Sequence, residues 1–430
     1  MTSTPMPSNT PPAQPRDASD NTGAADMRLG PGRLRSLIII NFAASVAFTA
    51  MYSTQPVLPQ IGTEFHVSPA EAGLTLSSVT FALAFASLGA GQLADRFGSR
   101  RVMLLCGGAL ALLCVVAPFA PTFGSLVAVR AAQGLVAPGL TIGGLAFLHN
   151  ELPAAWRGRV SGYYIGANTI GGLVGRLGVG LTVERIGWRG GLGLVAVWVI
   201  LGMALLLFAA PMGSARAAAA VSQEPLARPP LHAIARKLWW APFIGGTVFF
   251  PFLTIFSFLT YRLEGAPFRL SPTLASLVYL SYVVGAVAAA AAGNISDRVG
   301  RRSTIQFALL VVAVGLGFSL APTLALTILG FTLICVGSLM AHAVANASVS
   351  QSANPLGAQA RGTALSLYTL GFYIGGGLGS FVPGFALVSF GWPGVVALCA
   401  VGVLGAALCS LVTPRRPEQG GDTEASPAVG

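Results

Sequence analysis

Runs of about twenty apolar residues, the length a helix needs to cross a hydrocarbon layer, recur twelve times along this 430-residue chain. They fall at roughly 36–58, 72–94, 101–120, 124–148, 159–183 and 190–211, then at 238–261, 272–294, 303–322, 324–348, 362–387 and 393–413. A backbone inside lipid must satisfy its own polar groups, so runs of this length predict helices. The chain is 54% hydrophobic and 9% charged, against about 25% charged in soluble domains. The expected fold is an all-α membrane protein with twelve transmembrane helices. A net charge of +11 would suggest nucleic acid in a soluble protein. Here the arginines cluster in short connections between apolar runs, so the partner is the lipid bilayer and no nucleic acid is expected. All five cysteines (Cys106, Cys114, Cys335, Cys399, Cys409) lie inside apolar runs. They read as small buried residues, with neither a disulfide framework nor a metal site.

Polar stretches set the boundaries. Residues 1–35 are rich in Pro, Ser, Thr, Asn and Asp, without the apolar core of a signal sequence, and read as a disordered tail. Residues 212–237, with Gln223, Glu224, Pro225, Pro229 and Pro230, read as a linker between two six-helix bundles, 36–211 and 238–413; residues 414–430 form a second tail. An even number of crossings puts both tails and the linker on one side. That side carries 19 of the 25 Lys and Arg, while Arg185, Arg189, Arg262 and Arg269 lie opposite. Positive residues stay inside, so both termini are expected in the cytoplasm and the protein in the inner (plasma) membrane.

The two bundles look like copies of one unit. Gly91-Gln92-Leu93-Ala94-Asp95-Arg96-Phe97-Gly98-Ser99-Arg100-Arg101 joins the second and third crossings. The order of Gly, Asp, Arg, Gly and paired Arg returns as Gly293, Asp297, Arg298, Gly300, Arg301 and Arg302 after the eighth, 202 residues later. Ser68-Pro69 returns as Ser271-Pro272, Arg157-Gly158 as Arg361-Gly362 and Gly187-Trp188 as Gly391-Trp392, at offsets of 203 or 204. Landmarks keeping one register imply two pseudo-symmetric halves, the parallel kind of repeat.

These paired loops, Gly-x-x-x-Asp-Arg-x-Gly-x-Arg-Arg in the first half and one residue shorter in the second, where Arg301 follows Gly300 directly, resemble the signature of the major facilitator superfamily, and the similarity spans residues 36–413. Arg130-Ala131-Ala132-Gln133-Gly134, at the start of the fourth crossing, is similar to that superfamily's Arg-x-x-x-Gly motif. An acid at a helix C-terminus, such as Asp95, is unfavourable unless nearby cations or a neighbouring helix N-terminus compensate. Gly91 and Gly98 are expected to let the backbone approach the other half, so that a charge-assisted contact forms in one arrangement and breaks in another. The resemblance implies that this latch closes the cytoplasmic side. It also implies that Arg130 takes part in proton coupling.

Arg130 is expected about 10 Å deep at 1.5 Å per residue. An intramembrane cation costs about 2.5–3.5 kcal/mol on insertion scales and by default faces the protein interior with a functional role; the alternative for Arg130 is a structural role, paired to carbonyls. The fifth crossing carries Gly162, Gly166, Gly171, Gly175 and Gly178, whose spacing suits close helix packing. This stretch resembles the glycine-rich antiporter motif of the drug and sugar efflux branches, except that Arg176 stands where that motif has proline. All fourteen acids lie in tails, connections or helix ends. Two arginines at one depth therefore pair with the edge carboxylates Glu71 and Glu184, or else attract an anionic or electron-rich substrate. Either reading argues against a cavity built to ion-pair a permanent cation.

His342 is the one histidine well inside a crossing, and its ordinary pKa of ~6.5 suits a proton carrier. Asn41, Tyr52, Gln55, Asn168, Tyr282 and Tyr373 line the gap between the halves if they face inward; Tyr52-Ser53-Thr54-Gln55-Pro56 is the cluster hardest to place against lipid. The expected function is secondary transport by alternating access, as proton-driven efflux of a drug- or sugar-like small molecule. Uptake or exchange of an organic anion is the alternative. The expected partners are a small-molecule substrate and protons; the proton gradient supplies the energy, no cofactor is expected, and the chain is expected to act as a monomer. An intramembrane enzyme is disfavoured, because no Gly-x-Ser-x-Gly or His-Glu-x-x-His motif is present.

Overall fold

The computed structural model describes residues 31–152, 156–208, 236–353 and 358–412. The expected tails and linker lie outside the described residues except at their edges. The helices are α1 Pro31–Tyr52, α2 Leu58–Phe65, α3 Pro69–Phe97, α4 Ser99–Val116, α5 Phe123–Glu151 and α6 Arg157–Leu207, then α7 Trp240–Glu264, α8 Pro272–Ser276, α9 Ser281–Val299, α10 Arg301–Ser319, α11 Leu324–Ser352 and α12 Ala358–Ser410. Among the described residues no strand is present. Ten helical spans are long and apolar enough to cross a membrane, and two of them, Arg159–Leu207 and Gly362–Ser410, hold 49 residues each. At 1.5 Å per residue each would be roughly 74 Å long, more than twice a hydrocarbon core. Each is broken at one glycine of positive φ, Gly187 (68°) and Gly391 (63°).

Repeat-related positions adopt the same local structure. Ser68 and Ser271 both cap a helix whose first residue is proline, accepting hydrogen bonds from the backbone N–H of Glu71 and Leu274. Proline suits that position because its missing N–H would have no partner there. Gly98 and Gly300 take φ of 85° and 90°, a region that side chains with a Cβ avoid. The motif stretches are consequently shorter than expected. Helix continues through Asp95 to Phe97 and through Asp297 to Val299, and one glycine makes each turn.

In the first half α1 packs on α6, and α3 and α4 pack on α5; in the second α7 packs on α12, and α9 and α10 on α11. A Cβ at Gly171 or Gly175 would overlap the carbonyls of Ser45 and Thr49 on α1, and one at Gly371 or Gly375 the carbonyls of Pro242 and Gly246 on α7. The Thr49 hydroxyl donates to the Gly171 carbonyl at 2.9 Å across the first contact. Small residues allow this approach where lipid supplies no hydrophobic drive. The close-packing expectation is thereby corrected for Gly162, Gly166 and Gly178, whose Cβ positions face open space, because only one face of the helix meets α1. Gly175→Leu is expected to cost about 3 kcal/mol by overpacking, read as a lowered melting temperature in detergent, while Gly162→Leu leaves it unchanged.

The halves are joined at one end and parted at the other. At the end holding Tyr52, Gly187, Glu264 and Gly391, Gln60 Nε2 donates to Glu264 Oε2 at 3.0 Å and the Thr273 N–H to Glu184 Oε1 at 3.2 Å. Deeper, the Ser77 hydroxyl on α3 donates to the Gly377 carbonyl on α12 at 2.7 Å. Toward the opposite end α3, α6, α9 and α12 lose their burial. Gln92, Asp95, Gly162, Gly166, Gly293, Asn294 and Asp297 are exposed there.

Candidate functional site at the centre of the bundle

Both intramembrane arginines gather around the end of α1, where Pro56, whose ring removes a backbone donor, opens the helix into a short 3₁₀ turn, Gln55–Val57. The turn buries Ser53, Thr54 and Gln55 completely. Arg130 on α5 is 1% exposed. Its Nε donates to the Thr75 carbonyl at 2.9 Å, its Nη1 to the Ala50 carbonyl at 2.8 Å and to Gln133 Oε1 at 2.7 Å, and its Nη2 to the Met51 carbonyl. Every nitrogen of this guanidinium has an acceptor. Gln133 is oriented in turn by its Nε2 contact with Cys114 Sγ at 3.4 Å. Gly134 lies against α3, where a Cβ would overlap the Val79 carbonyl. The Arg-x-x-x-Gly residues thus clamp α1, α3 and α5 together.

Arg176 on α6 is fully buried and differently served. Its Nε donates to Gln55 Oε1 at 2.6 Å and its Nη1 to the Gly172 carbonyl at 2.9 Å. Nη2 has no hydrogen-bond partner among the described residues. Aromatic rings surround the cation: its Cζ lies 4.0 Å from the Tyr52 ring centroid, 5.0 Å from Tyr282 and 5.9 Å from both Phe256 and Tyr279. Attraction to ring faces compensates part of the lost hydration. Helix α6 continues to Gly187 rather than ending near 183, so Arg176 lies roughly 16 Å before the kink, and the contact of Gly175 with Thr49 sets it level with the Ala50 and Met51 carbonyls that hold Arg130.

Pairing of these arginines with the edge carboxylates is not what the structure shows. Glu71 closes a capping box with Ser68, accepting from the Ser68 N–H at 2.7 Å, and Glu184 accepts from Thr273. Both carboxylates are held at their own helix ends by backbone donors, out of reach of the arginines.

Gln55 continues the network across the interface between the halves. Its Nε2 donates to the Ser257 hydroxyl at 3.2 Å, which donates to the Ser380 hydroxyl at 3.2 Å. From Tyr282 a ladder of rings leads toward the parted end: Phe252 at 5.8 Å from Tyr282, Phe249 at 5.5 Å from Phe252, Phe372 at 3.6 Å from Phe249 and His342 at 4.3 Å from Phe372. Tyr373 stands edge-on to Phe372 at 5.3 Å. His342 Nδ1 is 2.8 Å from the Tyr368 hydroxyl. Asn41 and Asn168 lie one turn beyond the Ser45 and Gly171 contact toward the parted end. Asn41 Nδ2 donates to the Leu37 carbonyl at 2.7 Å, and the Oδ1 of each asparagine is buried without a partner among the described residues.

Tyr52, Gln55, Arg176, Tyr282 and Tyr373 are thus brought into one cluster, Arg130 and Gln133 sit beside it, and His342 lies at the far end of the ladder. The latch residues are apart from all of these. Asp95, Arg96, Arg100 and Arg101 are exposed, with open space around Gly91 and Gly98, as around Gly293. In the second motif Asp297 and Arg298 are exposed, Arg301 is buried and faces Asp297, and Arg302 is half-buried. Close approach of the two halves at Gly91 is absent from this conformation because the bundle is open there. Ser257, Ser380 and the phenylalanine ladder went unread in the sequence. Phe249, Phe252 and Phe256 share one face of α7 at helical spacing, which was the available signal.

An all-helical bundle that spans a membrane many times, with buried polar groups between two halves joined at one end only, defines a multi-pass membrane transporter. The Major Facilitator Superfamily model matches residues 40–278 and 265–428, and the chain belongs to that superfamily. It is 29% identical over 374 residues (86% of this chain, 92% of the other) to the uncharacterized MFS-type transporter YybF of Bacillus subtilis (strain 168). It is 27% identical over 393 residues (90% and 92%) to the inner membrane transport protein YnfM of Escherichia coli (strain K12). A shorter match, 28% over 158 residues (36% of this chain, 29% of the other), is with the multidrug resistance protein Stp of Mycobacterium tuberculosis (strain CDC 1551 / Oshkosh). In fold it is similar to a bacterial homologue of the human lysosomal transporter Spinster in an inward-facing, occupied conformation, with a TM-score of 0.71, 17% identity and coverage of 89% and 96%. The chain is a secondary transporter of small molecules and not an enzyme.

Proposed function

We propose that the chain exports a small molecule in exchange for protons across the inner (plasma) membrane, acting as a monomer. Two six-helix bundles, 36–211 and 238–413, rock about the central site, with α6 and α12 each counted as two crossings to make twelve. The observation that carries this reading is the asymmetry of the interface, hydrogen-bonded at the Gln60 and Glu264 end and parted at the Asp95 and Asp297 end. With both termini in the cytoplasm, the parted end faces inward. The partial similarity to a multidrug resistance protein supports export, and YnfM supports the inner membrane. Uptake or exchange of an organic anion is the second reading, favoured by the Nη2 of Arg176, buried without a hydrogen-bond partner among the described residues.

Accumulation of candidate substrates in inverted vesicles tests the direction and the driving force. Export predicts accumulation that collapses when the proton gradient is dissipated; accumulation that survives dissipation sinks proton coupling. Asp95 on α3 and Asp297 on α9 end helices that must approach the opposite half when the inner side closes. Asp95→Asn is therefore expected to slow exchange between the two facings about tenfold, the effect of roughly 1.4 kcal/mol, with unchanged yield of folded protein. Loss of folded protein would make Asp95 a structural residue instead.

A further inference from the structure

We infer that Arg176 receives the anionic group of the transported molecule, and that this molecule is a monoanion, a carboxylate in the first instance, carrying an aromatic ring. The inference rests on the transporter reading above and adds the chemistry of its cargo. The two arginines supply the contrast. They share one residue type and almost complete burial, yet every nitrogen of Arg130 is engaged while Nη2 of Arg176 is buried with no hydrogen-bond acceptor among the described residues. A buried charged donor left unmatched is costly, and an arginine fork fits a carboxylate through parallel N–H···O bonds. One guanidinium with an open donor, its neighbour closed by carbonyls, offers a single place for one anionic group.

The surroundings specify the rest of the molecule. Tyr282 is half-buried and separates the guanidinium from the parted end, so its ring must turn aside for an anion to reach Nη2. Beyond it Phe372 and Tyr373 are half-buried and stand edge-on at 5.3 Å, with Phe249 and Phe252 buried behind them, an aromatic lining against which a planar aromatic body packs. A sugar would leave most of its hydroxyls without partners on such a wall. A cation would meet the guanidinium with no acid to offset it. Arg176 also holds Gln55, whose other end bonds Ser257 across the joined interface, so an anion drawing on the guanidinium competes for the link that keeps that end closed.

The full chain in proteoliposomes, titrated with benzoate and phenylacetate and with their neutral amides benzamide and phenylacetamide, tests this directly. The acids are expected to bind at least about tenfold more tightly than the amides. Arg176→Gln should abolish the difference, and Arg176→Lys should retain a weaker preference of the same sign. Equal binding of acid and amide by the wild type, no acid binding up to about 10 mM, or a preference that survives Arg176→Gln overturns the proposal. If Arg176→Gln does not fold, the wild-type pairs and the lysine variant decide. Spin labels at Gln92→Cys and Asn294→Cys in the same vesicles separate this from the reading beneath it. Two distance populations without acid binding reject only the cargo class, and a single fixed distance rejects alternating access.

Discussion

Replacing Arg130 by alanine is expected to cost at least about 3 kcal/mol of fold stability, counting about 1–3 kcal/mol for each of the Thr75 and Met51 carbonyls and Gln133 Oε1 as they lose their charged donor, while the Ala50 carbonyl keeps the Ser53 hydroxyl, and to leave little folded protein in the membrane. The guanidinium joins carbonyls of Ala50 and Met51 on α1 to the Thr75 carbonyl on α3 and to Gln133 beside it on α5. Without it the Met51 and Thr75 carbonyls and Gln133 lose their shared donor in a buried site, and lipid has nothing to offer them. Arg130→Lys is expected to fail as a rescue, because one ammonium on a flexible stem cannot span acceptors arranged around a planar fork. Thermal melting with gel filtration of detergent extracts checks both. An Arg130→Ala protein that melts like wild type but transports without a proton gradient would instead make Arg130 a coupling residue.

Gly73→Ala is expected to empty the conformation described here in favour of the opposite facing. A Cβ at Gly73 would overlap the carbonyl oxygen of Ser380, and one at Gly384 the Cα of Ala70. Both obstacles are backbone, so no rotamer change relieves them, and both lie between the halves on α3 and α12. Separating the halves at the joined end removes the clash entirely. The penalty therefore falls on one state alone, the condition for a population shift. A differential of about 2 kcal/mol moves the ratio of states roughly thirtyfold. Spin labels at Thr63→Cys and Ala266→Cys should report the longer distance as the dominant one in Gly73→Ala without substrate. An unchanged distance with a lowered melting temperature would show that the interface does not open as a unit.

The long apolar runs made the all-helical membrane class legible, because a lipid solvent writes its demands into composition and length, and the recurring Gly, Asp and Arg landmarks made the repeat and the family resemblance legible. Arg130 and Arg176 stood out for the same reason, as charges where hydrocarbon tolerates few. Their roles did not. Both read as cations served by an edge carboxylate or by an anionic or electron-rich substrate, with carbonyl pairing the structural alternative for Arg130; the structure provides those carbonyls for Arg130 and aromatic faces with a glutamine for Arg176. The helix-packing glycines were legible only as a spacing: Gly171 and Gly175 touch α1, while Gly162, Gly166 and Gly178 face open space. Gly73 and Gly384 carried no mark at all, since a glycine at an interface looks like any other small residue until its neighbour is known.

The sequence by itself determined that this chain must bury its backbone in helices, repeat one unit twice and place its turns at glycines such as Gly98 and Gly300, because those are local requirements of lipid and of backbone sterics. The tertiary structure alone decided which donors found acceptors and which end of the interface closed. Hydrogen bonds such as Gln55 to Ser257 join residues 202 positions apart, and only the packing of the two halves brings such partners within reach.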